Sequence, residues 1–352
     1  MVKRLPDVCT IQYGFPFDSA KFSLTEGMPL IRIRDVMRGY SETFTTEKYK
    51  DEYIVYPDDL LIGMDGEFNI AKWGKTPALL NQRVCRLIPG PDIEKNFLFY
   101  FMPAALKRIE EKTPFVTVKH LSAKELNKIE IPLPPLEEQR RIAAVLDKVS
   151  GLITKRREQL DKLDELVKAR FVEMFGYPIK NEKGFPTITG QDFFKLSNGK
   201  FVPENKRFDN GVPAYGGNGI SWYTDEILYH NDTIVVGRVG FQSGNVHLAK
   251  GPLWITDNAM YISDYDSDKY DLRFLYALME HINFTRFQDA GDLKKITQKP
   301  FMSMEYITPT LKQQQEYVVF VEQTEKSKLT IQQSLDKLEV LKKALIQQYF
   351  ET

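Results

Sequence analysis

A chain of 352 residues that is 42% hydrophobic and 27% charged is long enough for two folded domains and too apolar to stay disordered. Its 48 Lys and Arg balance its 48 Asp and Glu, so it shows no net basic excess, and any phosphate binding would need cations gathered on one face or supplied by a partner. Cys9, Cys85 and four scattered histidines form neither a disulfide framework nor a metal-ligand spacing, and the opening MVKRLPDVC carries no apolar run; the expectation is a reducing, cytoplasmic setting without a membrane span.

From residue 5 to 131 the text is strand-like with one helical patch. Pro29-Leu30-Ile31-Arg32-Ile33-Arg34 alternates apolar and basic positions as a half-buried strand does, and Asp58 to Gly63 reads as a turn followed by a buried strand. Leu79 to Leu87 alternates again. Phe97 to Met102 leads into Ala104–Ile109 as an amphipathic helix, and Val116–Leu121 with Ile129–Ile131 close the segment as short strands.

A proline cluster, IPLPP, then gives way to a long charged segment without further proline, and Glu137-Glu138 stand where the N-terminal helix dipole favours acid. Apolar residues recur at three-four spacing through Ile142, Leu146, Val149, Ile153, Leu160, Leu163, Val167 and Met174, with Arg156 and Arg170 breaking the stripe. Ser150-Gly151 predicts a local bend. Gly176-Tyr177-Pro178 stops the helix.

The order then recurs. Gly211-Val212-Pro213 echoes Gly27-Met28-Pro29, and Asp232 to Gly240 echoes Asp58 to Gly66. Asp257 to Met260 stands where Asn81 to Val84 stood, and Phe274 to Met279 repeats the aromatic entry to a helix. From Leu311 to Phe350 the long helix returns without a gap against Leu136 to Phe175: Gln139/Gln314, Leu160/Leu335, Leu163/Leu338 and Leu166/Leu341 all match. Its seam runs through Tyr317, Val321, Ile331, Leu335, Leu338 and Leu345, interrupted by Thr324, Lys328 and Lys342. The chain is two copies of one design.

Catalytic constellations are missing from the text. Gly74-Lys75-Thr76 ends like a phosphate loop, but position 69 is Asn69 rather than glycine, and Gly216-Gly217-Asn218-Gly219 suits a surface turn better than a dinucleotide loop. No Asn-Pro-Pro-Tyr or Asp-Pro-Pro-Tyr of a base methylase occurs, and Pro57-Asp58 with Glu110-Glu111-Lys112 reads as solvated charge rather than a nuclease site. The histidines, His120, His230, His247 and His281, read as structural.

The order of the segments, with Ile131-Pro132-Leu133-Pro134-Pro135-Leu136-Glu137-Glu138-Gln139, Phe171-Val172-Glu173-Met174-Phe175-Gly176-Tyr177-Pro178 and the two Asp-Lys-Leu turns, resembles the specificity subunits of Type I restriction-modification systems over essentially the whole chain. The resemblance implies an α+β fold with an internal pseudo-two-fold repeat: target-recognition domains at 1–131 and 176–308, joined and separated by long antiparallel coiled-coil spacer helices at 132–175 and 309–352. It implies a non-catalytic subunit that reads a bipartite double-stranded DNA target. It also implies two methyltransferase subunits bringing S-adenosylmethionine and a restriction and motor subunit using ATP and Mg²⁺, with no cofactor or metal in this chain. Thr308-Pro309-Thr310-Leu311-Lys312 departs from the clearer first copy.

Elementary geometry is compatible with that reading. A helix of about 39 residues spans roughly 58 Å, against about 34–36 Å between DNA half-sites read from one face. Side chains that grip base edges are Arg or Lys for guanine and Asn or Gln for adenine, with further cations on phosphate. Expected DNA contacts are therefore Arg32, Arg34, Lys72 and Arg83 in the first half, and Asn218, Arg238, Gln242, Lys294 and Lys295 in the second. Gly63, Gly66, Gly237 and Gly240 join them, because glycine lets backbone approach phosphate. Leu136, Gln139, Leu160, Leu163, Leu311, Gln314, Leu335 and Leu338 are the expected partner-docking positions. Two other readings compete: a subunit of a Type IIB or IIG system, and a scaffold joining two modules without DNA.

Overall fold

The computed structural model describes residues 1–113, 119–291 and 294–350. The chain forms two compact units, Met1–Arg157 with Gln333–Thr352, and Glu158–Gln332. Their limits fall inside the two long helices, Leu136–Phe175 and Leu311–Phe350, so each unit contains part of both. This differs from a division at residues 131 and 308, because each globular half buries apolar residues of both helices in its own core.

In the first unit, a four-stranded antiparallel sheet has the order Cys9–Tyr13, Val84–Pro89, Leu60–Gly63, Ile70–Lys72. A second sheet of five short strands includes a parallel pair, Met28–Ile31 with Ala78–Leu80. Val2–Arg4 pairs antiparallel with Glu130–Pro132, which ties the start of the unit to the entry of the long helix. Helix Lys95–Lys112 carries Phe97, Leu98, Phe101 and Leu106 into a core completed by Ile142, Ala143 and Leu146 of one long helix and Phe350 of the other.

The second unit repeats this plan. Its four-stranded antiparallel sheet has the order Phe194–Asn198, Ala259–Tyr265, Thr233–Gly237, Val246–Ala249. Val212–Gly216 and Trp254–Ile255 form the parallel pair, and Thr187–Thr189 pairs with Glu305–Ile307. Helix Leu272–Ile282 buries Phe274, Leu275 and Leu278 among Phe171 and Phe175 of the first long helix and Tyr317 and Val318 of the second.

Several expectations are corrected. The strand at Pro29 ends at Ile31, because Asp35 turns back to accept the Arg32 N–H at 2.9 Å and starts a helical turn, Ile33–Val36. Leu79–Leu87 is two strands broken by a turn at Asn81–Arg83, with Arg83 at φ +72°. Of the strand expected at Val116–Leu121, residues 116–118 lie outside the described residues. Among the described residues, no helix is long and apolar enough to cross a membrane.

Within each unit the long-helix segments run antiparallel. In the first, Arg157 meets Glu339 at 2.6 Å, while Phe350 lies beside the helix start at Ile142–Leu146. In the second, Lys328 meets Asp164 at 2.5 Å and the Arg170 guanidinium sits 5.8 Å from the Phe320 ring. The seam is buried in part: Leu146, Val149, Ile153, Tyr317 and Leu335 are covered, while Leu160, Leu163, Val167, Ile331 and Leu338 are half-buried. Its polar interruptions are accommodated: Thr324 Oγ1 donates to the Phe320 carbonyl at 2.9 Å, and Arg170 pairs with Glu173 of its own turn at 2.8 Å. Arg156 is half-buried.

Candidate nucleic-acid interface

Strand Leu60–Gly63 is buried throughout, so the chain can present polar groups only after it leaves the sheet. It leaves through Met64-Asp65-Gly66, a turn clamped by backbone from two other places. The Met64 N–H donates to the Arg83 carbonyl at 2.9 Å, the Leu121 N–H to the Met64 carbonyl at 2.7 Å, and the Gly66 N–H to the Lys119 carbonyl at 2.9 Å. Above this clamp Arg83 Nη1 lies 3.2 Å from His120 Nδ1, Arg83 Nε lies 3.7 Å from Asp65 Oδ2, and His120 Nδ1 lies 2.5 Å from Asp65 Oδ1. Arg83 is exposed, and its neighbours fix where its guanidinium points.

The second unit builds the same clamp. The Arg238 N–H donates to the Asn258 carbonyl at 2.9 Å, the Ile296 N–H to the Arg238 carbonyl at 3.0 Å, and the Gly240 N–H to the Lys294 carbonyl at 2.8 Å. Sheet register aligns Gly63 opposite Val84 with Gly237 opposite Ala259. Asn258 is therefore the counterpart of Arg83, and the sequence match that put Gln82 over Asn258 is one residue out of step. By the same bonds, Lys119 and His120 correspond to Lys294 and Lys295.

The turn Gly237–Gly240 borders a cleft of about 470 Å³ whose lining includes Asn218, Trp222, Gln242, Thr256 and Asn258. The Arg207 guanidinium lies 5.1 Å from the Trp222 ring, a cation–π stack that fixes both. Phe201 and Phe241, 64% and 86% exposed, stand in the same lining. Thr256, in the same lining, has its Oγ1 buried without a hydrogen-bond partner among the described residues.

The expected DNA contacts divide accordingly. Arg83, Gly66, Arg238, Gly240, Lys294 and Lys295 belong to the two clamps, and Asn218 and Gln242 to the cleft. Gln242 already accepts from the Asn245 amide. Gly63 and Gly237 must be corrected: both are buried, and a Cβ would fall 3.2 Å from Ile33 Cγ2 in the first case and 2.6 Å from the Gln242 carbonyl oxygen in the second. These glycines let protein segments approach one another rather than phosphate. Gly66 and Gly240, at φ +79° and +91° with open space where a Cβ would be, keep the expected freedom. Lys72 stands apart, half-buried between Asp58 at 3.6 Å and the Phe99 ring. Arg32 and Arg34 are exposed on the helical turn that abuts Gly63, with Arg34 3.7 Å from Asp35.

Asp65, Lys119, His120, Asn258, Trp222 and Phe241 were not singled out as contacts by sequence. His120 reads as structural there because its partner Asp65 lies 55 residues away, and no spacing rule joins them.

The docking positions also need one correction. Gln139 and Gln314 are buried, and every side-chain bond is made at home. Gln139 Oε1 accepts the Glu94 N–H at 2.9 Å while Nε2 donates to the Asp92 and Pro134 carbonyls. Gln314 Oε1 accepts the Asp271 N–H at 2.9 Å while Nε2 donates to the Lys269 and Pro309 carbonyls. Both side chains are buried and spend both N–H donors within the chain, so neither is offered to a partner. Leu335 is buried in the seam; Leu136, Leu160, Leu163 and Leu338 are half-buried, and Leu311 is exposed. Leu152, Leu166, Leu329, Val340 and Leu341 are also exposed, lying off the seam that the sequence pattern emphasises.

Comparison with known proteins meets this twice-built arrangement directly. The profile of the Type I restriction modification DNA specificity domain matches residues 1–163 and 182–342, once per copy. The chain belongs to that family. A specificity subunit of the Type I restriction enzyme EcoBI from Escherichia coli is 41% identical over 166 residues, 47% of this chain and 35% of that protein. A putative specificity subunit of the MjaX enzyme from Methanocaldococcus jannaschii is 24% identical over 89% of this chain and 84% of that protein. The chain thus aligns with about a third of the EcoBI subunit's length. In fold, it resembles the S subunit of a Type I restriction-modification system from M. genitalium, with TM-score 0.65 at 15% identity over 99% of this chain and 96% of the other. A second structure, described for complex assembly of the type I R-M system, gives TM-score 0.59 at 16% identity over 98% and 96%.

Proposed function

We propose that this family member is the DNA-recognition subunit of a Type I restriction-modification complex, each unit reading one part of a bipartite target. The observation that carries the reading is one backbone clamp built twice and dressed with different side chains, as two readers of different sequences require. Arg83 and the Lys294-Lys295 pair supply cations for guanine or phosphate, and Asn258 supplies an amide for adenine. The balanced net charge assigns the rest of the phosphate neutralisation to partners.

In this proposal two methyltransferase subunits dock on the long helices and bring S-adenosylmethionine, and a restriction and motor subunit brings ATP and Mg²⁺. The chain itself is non-catalytic and works in the cytoplasm. The helices, each of 40 residues, set the number of unread base pairs between the half-sites. The test is electrophoretic binding to a library of duplexes, with and without the methyltransferase partner. Sequence-selective binding by the complex, with no S-adenosylmethionine turnover by this chain alone, supports the reading. Turnover by the isolated chain contradicts it.

A further inference from the structure

The two clamps share their backbone bonds, so the chemistry of each unit is decided by what occupies matching positions around them. Gly66 and Gly240 are matched by the bonds they donate to Lys119 and Lys294. The next residues are Glu67, exposed, and Phe241, 86% exposed. Arg83 and Asn258 match through the carbonyls they offer to the turn, and both are exposed.

Phe241 exposes an aromatic ring on a backbone that is held firmly. Gln288 Nε2 donates to the Phe241 and Ser243 carbonyls at 3.2 and 2.6 Å, and Gly240 and Gly244 both sit at positive φ. With Phe201, 64% exposed in the same lining, the ring gives the cleft an apolar face as well as amides. It shares the cleft lining with Asn258. In the first unit the matching pair is a carboxylate and a guanidinium, the latter fixed by Asp65 and His120.

We infer that Glu67 and Arg83 in one unit, and Phe241 and Asn258 in the other, are the specificity-determining pairs, the first selecting a G·C base pair and the second an A·T base pair. Arg grips guanine O6 and N7 and Glu accepts from cytosine N4; Asn grips adenine N6 and N7 and Phe packs on the thymine methyl. The inference rests on the DNA-recognition reading above and adds which positions choose and what they choose.

The experiment uses the full chain assembled with its methyltransferase partner. Methylated motifs and relative affinities are measured for wild type, for Asn258→Arg with Phe241→Glu, and for Arg83→Asn with Glu67→Phe. Asn258→Ala and Arg83→Ala serve as milder variants, and a thermal melt on each preparation confirms folding. The expected result is a change confined to one half of the bipartite motif per variant. The preference for the original base there falls by about tenfold or more, and the other half is unchanged. Retention of the wild-type motif and preference by folded variants overturns the inference while leaving the recognition role intact. A wild-type complex without sequence preference removes the recognition role and the inference with it.

Discussion

Gln139 and Gln314 show why a polar residue on a long helix is not automatically a contact for a partner. Each amide accepts the N–H of the residue capping a neighbouring helix and donates to two carbonyls. Truncation to alanine would orphan these buried backbone groups, at about 1–3 kcal/mol for each set left unsatisfied. Gln139→Ala and Gln314→Ala are expected to lower stability by similar amounts, about 2–3 kcal/mol each, in urea unfolding followed by circular dichroism. A negligible loss at one of them would show that the two glutamine sites are not equivalent. Lys342, a polar interruption of the seam, is half-buried with its ammonium 5.7 Å from the Tyr100 ring. Burial, reinforced by the charge of Arg157 and opposed by Glu339, holds its pKa below the usual lysine value. The folded state therefore sheds this proton before the unfolded chain does, so the penalty of the buried cation is full below the depressed pKa and fades as pH rises toward about 10.4. Lys342→Met is expected to raise Tm at pH 7, with its advantage over the parent shrinking by pH 10; thermal melts across that range check it.

At the scale of elements, the helix ends matter more than their visible charges. Phe350 lies 5.1 Å from Phe97 and 5.8 Å from Phe101, and Phe175 lies 4.9 Å from Phe274. The last residue of each long helix thus performs the same task, filling a core beside the first turns of a shorter helix. Phe350→Ala or Phe175→Ala should each cost about 3–5 kcal/mol, read as a shift in urea midpoint. The Arg157–Glu339 ion pair is 63% and 46% exposed. A double-mutant cycle there is expected to yield under about 1 kcal/mol. The helices were legible because a gapless match and three-four spacing are local, one-dimensional signals. Leu79–Leu87 misled because its alternation continues across the turn at Asn81–Arg83, where an Arg in left-handed backbone gives no warning in the sequence.

For the whole chain, the doubled plan and its order of sheets and helices follow from the repeat, and the family assignment agrees with it. The proposed recognition surface was only half legible. Arg83, Arg238, Lys294 and Lys295 follow from residue chemistry, but their grouping depends on backbone bonds across 19 to 58 residues (Arg83 to Met64; Ile296 to Arg238), and the match of Arg83 with Asn258 needed the sheet register. Buried glycines and buried glutamines were misassigned for one reason: sequence gives residue type, and burial decides use. The most direct test of the account is base-resolution methylation mapping in cells that carry the methyltransferase partner with and without this chain. The account predicts a bipartite motif, two specified parts around an unspecified gap, methylated only when both proteins are present. A motif that persists without this chain, or a single uninterrupted motif in its presence, would contradict it.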